Sequence, residues 1–433
     1  MKSLYFFITI FFCLVVRAED SLKIHLNSPI DRQKPSADCL DEICTSLLSM
    51  ITNSRSSIDF AIYGLRGQLS ILEALDDAEK RGVHVRGVID KDVYGDSYYS
   101  DTHLLEKTLK NIRSDFSADL RRKEYLERDD REYEDSTECT RPIFTDGPLQ
   151  CFEDKGYASK HEIYFSGDIM HNKFFIVDKQ FIWTGSTNIS DTGIGGYNAN
   201  LAAEIDSKSI ASLYTEEFNQ MFELDLYHKE KFKRNKNIAK MNIGQSIVSL
   251  FFSPQDNAMD DGVIRLIDEA EESINVTIFF LTHNELSKAL AKAKARGVNV
   301  RVILDATAAT NGYSKHEYLR KKGIPLKVES WGGKMHMKAA VIDQKHIIIG
   351  SMNWTKAGGR KNDENTLVVR NDHQNAKLMN EFFDKLWNSI PEKFLTKDPL
   401  PESIDSGGSC FDGIDNDFDK KIDEEDFFGC FSF

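Results

Sequence analysis

After its first eighteen residues, the chain contains no apolar run long enough to cross a membrane. It also lacks any Cys-x-x-Cys pair, which removes the usual sequence sign of a zinc ribbon or finger. Positive charge is in deficit. The 433 residues carry a net charge of −14, which argues against a strong general affinity for nucleic acid, because phosphate contacts dominate such binding. Part of the deficit is local: eight acidic and two basic residues lie between Cys410 and Cys430, so this tail alone supplies −6. A basic cleft elsewhere is compatible with the total. The remainder, 41% hydrophobic and 29% charged overall, is an ordinary globular composition with material for one bilobal unit or two similar domains.

Met1 to Ala18 read as a secretory signal peptide. Lys2 forms a short basic start, Leu4 to Val16 is the apolar run, and Val16-Arg17-Ala18 is an acceptable cleavage site. Export, either secreted or periplasmic, is therefore expected. Removing Cys13 with the signal leaves six cysteines in three close pairs: Cys39 and Cys44, Cys139 and Cys151, Cys410 and Cys430. An even number in an oxidising compartment favours disulfides, and nearest-neighbour pairing is expected among the fifteen formal connectivities.

One pattern of polar residues occurs twice. Met170-His171-Asn172-Lys173 leads through four apolar residues to Asp178, and Gly185-Ser186-Thr187-Asn188 follows. Met335-His336-Met337-Lys338 leads likewise to Asp343, followed by Gly350-Ser351-Met352-Asn353. Side chains at i and i+2 share one side of a strand, so each His shares a side with its Lys. Two such pairs brought together would bracket a phosphate. The ammonium groups would neutralise its oxygens while one imidazole attacks and the other protonates the leaving group. The Ser and Asn of each tail, Ser186, Asn188, Ser351 and Asn353, are candidate donors to the phosphate oxygens.

These two copies resemble the His-x-Lys-x4-Asp motifs of the phospholipase D superfamily, each with the Gly-Ser-x-Asn that follows it there. The resemblance covers roughly Ser21 to Ser389 and is specific for the superfamily, not for substrate. It implies two α/β/α-layered halves related by a pseudo-two-fold axis, with one active site at their interface. It also implies a phosphohistidine intermediate and no catalytic metal. On this resemblance His171 is assigned as nucleophile and His336 as general acid, with Lys173 and Lys338 on the phosphate. Asp178 and Asp343 belong to the motif and are expected to hold local structure. Glu364, eleven residues after Asn353, matches the family carboxylate that orients a catalytic His. The corresponding position after Asn188 is Ala199, flanked by Asn198 and Asn200, so the two imidazoles should be electrostatically unequal. The leading function is a secreted, bacterial-type phospholipase D releasing a headgroup alcohol from phospholipid. The alternative is a metal-independent endonuclease using the same site. A monomer with peripheral membrane contact is expected.

The rest of the chain echoes the duplication. The strand Leu22 to Leu26 matches Ile247 to Phe252, and Ser57 to Tyr63 matches Ser273 to Phe279. In each half an amphipathic helix stops at Arg-Gly, with Gly82 and Gly297 as C-caps. Strands Val83 to Asp90 and Val298 to Asp305 then match almost residue for residue. Strand, helix, strand predicts α/β layers with a largely parallel interior. Gly82 and Gly297 are 215 residues apart but His171 and His336 only 165, which puts an insertion of about 50 residues within 94–162. It reads as a solvated excursion or a disulfide-stapled lid. The expected order is a first half at 19–226, a polar link at 227–243, a second half at 244–396 and a tail at 397–433. Closing helices place Phe218 and Phe222, and Phe383 and Trp387, in the core.

In the tail, Asp415, Asp417, Asp419, Asp423 and Asp426 fall at positions 1, 3, 5, 9 and 12 of a loop. That is the ligand spacing of an EF-hand-type calcium site. The pattern departs at Lys420, where Gly normally makes the turn, and at Asp426, which replaces Glu. A structural calcium site and an acidic solubilising tail are the two readings.

Overall fold

The computed structural model describes residues 20–31, 34–128, 138–140, 150–153, 157–159, 168–233, 240–416, 422–423 and 430. The expected signal segment and three of the five candidate calcium ligands (Asp417, Asp419, Asp426) lie outside them. Among the described residues no helix is long and apolar enough to cross a membrane.

Each half is built on one mixed sheet. In the first the strands run in the order Ser21–Asn27, Asn200–Asp206, Phe181–Gly185, Lys173–Val177, Ser57–Ile62, His84–Ile89, Ile112–Ser114. The second repeats this order from Ser246–Ser253 to Leu326–Val328 and adds Lys240–Ile243 at its edge. The expected parallel interior is corrected here. Only the last three strands of each order pair in parallel, and each motif strand is antiparallel to both neighbours. The cause is local. Asp178-Lys179 and Asp343-Gln344 all have φ near +50°, the two-residue geometry of a primed hairpin turn, and a hairpin returns antiparallel. The apolar motif strands are buried on both faces because helices cover both sides of the sheet.

The predicted helices form as Leu69–Lys80 and Asn284–Ala295, and each gives way to a left-handed glycine, Gly82 or Gly297. The closing helices Lys208–Phe222 and His373–Ser389 lie between the two sheets. One core cluster runs through both halves, from Phe174 and Tyr214 to Phe252 and Phe383. Tyr214 meets Phe174 edge-on at 5.0 Å and Phe252 at 5.1 Å, so one helix joins both sheets. Such pairs add about 0.5–1.5 kcal/mol beyond their buried area. Phe218 stacks on Phe222 and Phe383 on Trp387, with Arg86 and Arg301 over the respective pairs, in keeping with their expected role in packing.

Two boundaries shift. The edge strands Ile112–Ser114 and Leu326–Val328 are counterparts at an offset of 214, against 165 at the motifs, so the 49 extra residues lie between Ser114 and Met170, not from 94 onward. Residues before Ser114 complete the sheet. Within the insertion, the helix Phe116–Arg128 is anchored through Arg121 to Asp225 and Glu230. Three short strands form a separate sheet whose backbone register sets Cys139 opposite Cys151. Cys39–Cys44 and Cys410–Cys430 are bonded as expected. The expected polar link is not solvated at its start, because Tyr227, His228 and Lys231 are buried.

Candidate active site

Each motif strand starts at its Lys and carries its His just before, where the backbone bridges to the opposite half. Met170 bridges to Asp363, with His171 N–H donating to Asp363 O at 3.0 Å and Asp363 N–H to Ile169 O at 2.8 Å. The second half repeats this with the roles exchanged: Met335 bridges to Ala199, and His336 N–H donates to Ala199 O at 3.0 Å. The backbone just before each histidine is thereby zipped to the opposite half. Asp90 and Asp305, at the ends of the matched strands, accept the amides of Met170 at 2.8 Å and Met335 at 3.0 Å.

The side chains complete the exchange. His171 Nδ1 lies 2.9 Å from both carboxylate oxygens of Glu364 in the second half. His336 Nδ1 lies 3.1 Å from Ser186 O and 3.2 Å from Asn200 Oδ1 in the first. Both acceptors on His336 are oxygens, so its Nδ1 carries the hydrogen and its Nε2 presents a lone pair when neutral. The counterpart of Glu364 is Asn200, not Ala199. Gly350 pairs with Thr366 but Gly185 with Ala202, so the second half is one residue shorter there.

Lys173 and Lys338 each donate to the carbonyl of their own motif histidine, at 2.8 Å and 2.7 Å. Their ammonium groups also face an aromatic ring, Tyr63 at 5.5 Å and Phe279 at 4.9 Å. The same rings wall the histidines, Tyr63 against His171 and Phe279 against His336. The histidines are 7% exposed and the lysines 1%, so the site is closed save for the imidazole tips.

Burial, followed by the two lysines, holds both imidazoles well below the ordinary histidine range; for His171 the His336 ring adds to this. Burial also lowers Lys173 to about 7 and Lys338 well below its usual range. Glu364 is pushed up to about 8 by burial, against the pull of Lys173, the Ser351 hydroxyl and Lys338. The cluster is thus poised to gain charge when an anion enters, because a phosphate would favour both ammonium forms and these in turn favour the Glu364 carboxylate.

The serines of the tails bond to protein partners instead of standing open as donors to a phosphate. Ser186 Oγ donates to Asn200 Oδ1 at 2.8 Å, and Ser351 Oγ to Glu364 Oε2 at 2.6 Å. Both serines therefore orient the groups that hold the histidines, and they are fully buried. Gly185 and Gly350 precede them because a Cβ would sit 2.3 Å and 2.2 Å from the carbonyls of Leu201 and Asn365. Asn188 Nδ2 donates to Tyr99 OH at 2.9 Å, while Asn353 is buried at the equivalent point. Asp178 and Asp343 are separated from the histidines, at the far ends of their strands, about 16 Å beyond the lysines. Asp178 accepts the amides of Arg55, Ser56 and Ser57, and Asp343 those of Glu271, Glu272 and Ser273. These bonds hold both carboxyls below the usual range despite burial. In the tail, Asp423 accepts the amides of Asp412 and Gly413, and Asp415 is half-buried nearby.

The residues missed from sequence are Tyr63, Phe279, Asp90, Asp305 and Asp363. Asp90 and Asp305 end the strand pair that matches almost residue for residue, a signal that could have marked them.

The chain belongs to the family described as "cardiolipin synthase, PLD-like domain", within the phospholipase D superfamily. It matches that family over residues 47–222 and 263–387, one segment in each half. A mitochondrial cardiolipin hydrolase from Homo sapiens is 32% identical over 149 residues, covering 34% of this chain and 57% of that protein. A phospholipase D from Rickettsia conorii is 32% identical over 136 residues, covering 31% and 66%. The chain thus spans less than two thirds of the length of these relatives. The structure of a phosphatidylserine synthase from Haemophilus influenzae aligns with 87% of this chain and 88% of that one, with TM-score 0.53 and 13% identity, which shows a common fold.

Proposed function

We propose that this protein is a phospholipase D-type phosphodiesterase that hydrolyses the headgroup phosphodiester of phospholipids through a phosphohistidine. The observation that carries this reading is the reciprocal placement of two His-Lys pairs, each imidazole held by the opposite half. The lipid substrate is supported by the relatives named phospholipase D and cardiolipin hydrolase.

The unequal partners support one order of chemistry. Nucleophilic attack places positive charge on an imidazole, and a carboxylate at its Nδ1 stabilises that charge. His171, on Glu364, is therefore the nucleophile. A general acid should release its proton readily, so neutral partners suit it, and His336 has Ser186 O and Asn200. In the first step His171 Nε2 bonds to phosphorus, the P–O bond to the headgroup breaks, and His336 Nε2 gives that oxygen its proton. In the second, His336 takes a proton from water as the water oxygen bonds to phosphorus and the N–P bond breaks. Lys173 and Lys338 neutralise the phosphate oxygens, with Asn188 and Asn353 beside them. No metal is assigned a part in this sequence.

The test measures headgroup release from phospholipid vesicles and nicking of plasmid DNA side by side, with EDTA present. Each assay is repeated with His171→Ala and His336→Ala. Headgroup release that both substitutions abolish is the expected result; nicking without headgroup release would replace the lipid reading with an endonuclease. Export is supported by the two disulfides and by the apolar N-terminal segment. Calcium in the tail, with Asp415 and Asp423 among its ligands, is a separate proposal of structural stabilisation. Calcium should raise the melting temperature of the full chain without changing turnover, and equal melting with calcium and with EDTA rules the ion out.

A further inference from the structure

A second buried cluster of charge stands behind His171, and the chemistry above does not use it. At its centre is His228, 5% exposed, in the segment between the halves. Its backbone has φ 52°, a left-handed conformation that a non-glycine residue holds only where the surroundings impose it. Its own N–H donates to Asp363 Oδ1 at 2.9 Å, and its ring Nδ1 lies 3.1 Å from Asp363 Oδ2. On the other side, Nε2 faces Asp115 Oδ2 at 3.5 Å and Asp119 Oδ1 at 3.6 Å. The ring therefore stands between carboxylates of both halves.

Those carboxylates grip the stretch that carries the nucleophile. Asp119 accepts the amide of Asp168, and Asp115 that of Met170, both at 3.2 Å. Asp363 holds the same stretch from the opposite side, through Ile169 O and His171 N–H. The residue after Asp363 is Glu364, the carboxylate on His171 Nδ1.

We propose that His228 is a positioning residue: an imidazolium shared by Asp115, Asp119 and Asp363 ties the 168–171 stretch of the first half to the Asp363–Glu364 corner of the second and so sets Glu364 on His171. The role in turnover rests on the phosphodiesterase reading; the coupling of His228 to His171 does not. Burial opposes the charge on His228, but Asp363, Asp115 and Asp119 outweigh it and keep the ring protonated well above the ordinary histidine range. The other groups facing the cluster are Lys231, which pairs with Asp363 at 2.7 Å and with Glu217; Tyr227, its ring 6.1 Å from that of His228 and its hydroxyl held well above the ordinary range by burial and by Asp115, Asp225 and Asp363; and Asp90, which burial and the neighbouring Asp115 and Asp119 hold well above the carboxylate range. On the His336 side Glu329 stands in the place of Asp115, accepting the amide of Ala306 as Asp115 accepts that of Lys91, but Ala199 in the place of Asp363 offers no carboxylate.

The test uses the full chain with 15N-labelled histidine. In His228→Gln, the Nδ1 proton signal of His171 should shift or broaden while His336 keeps its wild-type signals. Turnover of bis(p-nitrophenyl) phosphate should fall roughly tenfold to a hundredfold with KM within about twofold, as expected when a reacting group is displaced by a fraction of an ångström. His228→Lys, which restores a cation, should recover part of that loss. If His228→Gln does not fold, the wild type supplies the same readout. As the pH rises past the loss of the second His228 proton, the His171 signal should move with those of His228 and the His336 signal should not. A His171 signal indifferent to that deprotonation overturns the proposal. So does an equal response of both catalytic histidines, or a stoichiometric bound metal that disappears with His228→Gln, which would make the cluster a metal site. Coupling in a wild type that cleaves no diester would refute the enzymatic reading and leave the positioning one standing.

Discussion

The two halves carry the same sheet, helices and motif, yet they surround their histidines with opposite electrostatics. Around His171 the second half supplies two consecutive acids, Asp363 and Glu364, and the first is backed by His228 and Lys231. Around His336 the first half supplies Ala199 and Asn200 at the same two positions. The shared architecture fixes where the imidazoles point. On the proposed chemistry, the two substituted positions decide which ring accumulates positive charge and which sheds a proton. Symmetry thus builds the site, and its local breaking divides the labour.

The largest expected effects test that division directly. His171→Ala and His336→Ala should each lower turnover of phospholipid by three or more orders of magnitude, roughly the combined size of nucleophilic and acid catalysis. They should differ on bis(p-nitrophenyl) phosphate, whose leaving group needs no proton. There His336→Ala should release a burst of one p-nitrophenolate per site and trap the remaining p-nitrophenyl phosphoryl group on His171, and His171→Ala should show no burst. A burst in His171→Ala instead would reverse the assignment.

Next in size is the exchange of the orienting partners. Glu364→Gln removes the charge behind the nucleophile and should cost roughly a hundredfold in turnover, whereas Asn200→Ala should cost about tenfold or less. Asn200→Asp makes the halves alike; by stabilising the His336 imidazolium it should displace the limb of the pH–rate profile set by the acid toward higher pH. An unchanged profile would show that Asn200 does not govern that proton.

A smaller effect concerns the lysines. Lys173 must be charged to hold a phosphate, and in the empty site it loses its proton at about 7. Thus kcat/KM should fall as pH rises through about 7, and anion binding above that pH should take up protons, measurable by calorimetry in buffers of different ionisation enthalpy. Smallest of all should be the catalytic effect of Asp178→Ala or Asp343→Ala. Each should lower stability by about 0.5–1.5 kcal/mol, because a turn of exposed and part-buried amides loses its shared acceptor, and leave turnover per folded molecule unchanged. These carboxyls are depressed in the folded state, so their contribution is present above the unfolded value near 4 and is lost as pH falls through the folded one. A melting temperature equally raised or lowered by acid in wild type and variant would remove that contribution.

Much of this was legible in the residues themselves. The doubled motif, the strand-helix-strand echoes, the Arg-Gly helix ends and the aromatic pairs four residues apart are local patterns, and each found its place. What escaped depends on partners far away in sequence. Strand direction turned on a two-residue hairpin that the apolar runs did not announce. The role of Asn200 was displaced by one position because a single-residue length difference between the halves is invisible until the strands are paired. The segment of His228 and Lys231 looked like a polar link because the acids around His228, Asp115, Asp119 and Asp363, lie more than one hundred residues away on either side.

The exchange of partners across the interface has a consequence for how such a molecule can be taken apart. Neither half contains a finished histidine, so a fragment holding one motif should be inert however well it folds. Two chains damaged in different halves should not rescue each other unless they trade whole lobes. Coexpressed halves, in contrast, should regain activity only in proportion to how tightly they associate, which turns catalysis into a direct gauge of the bond between them.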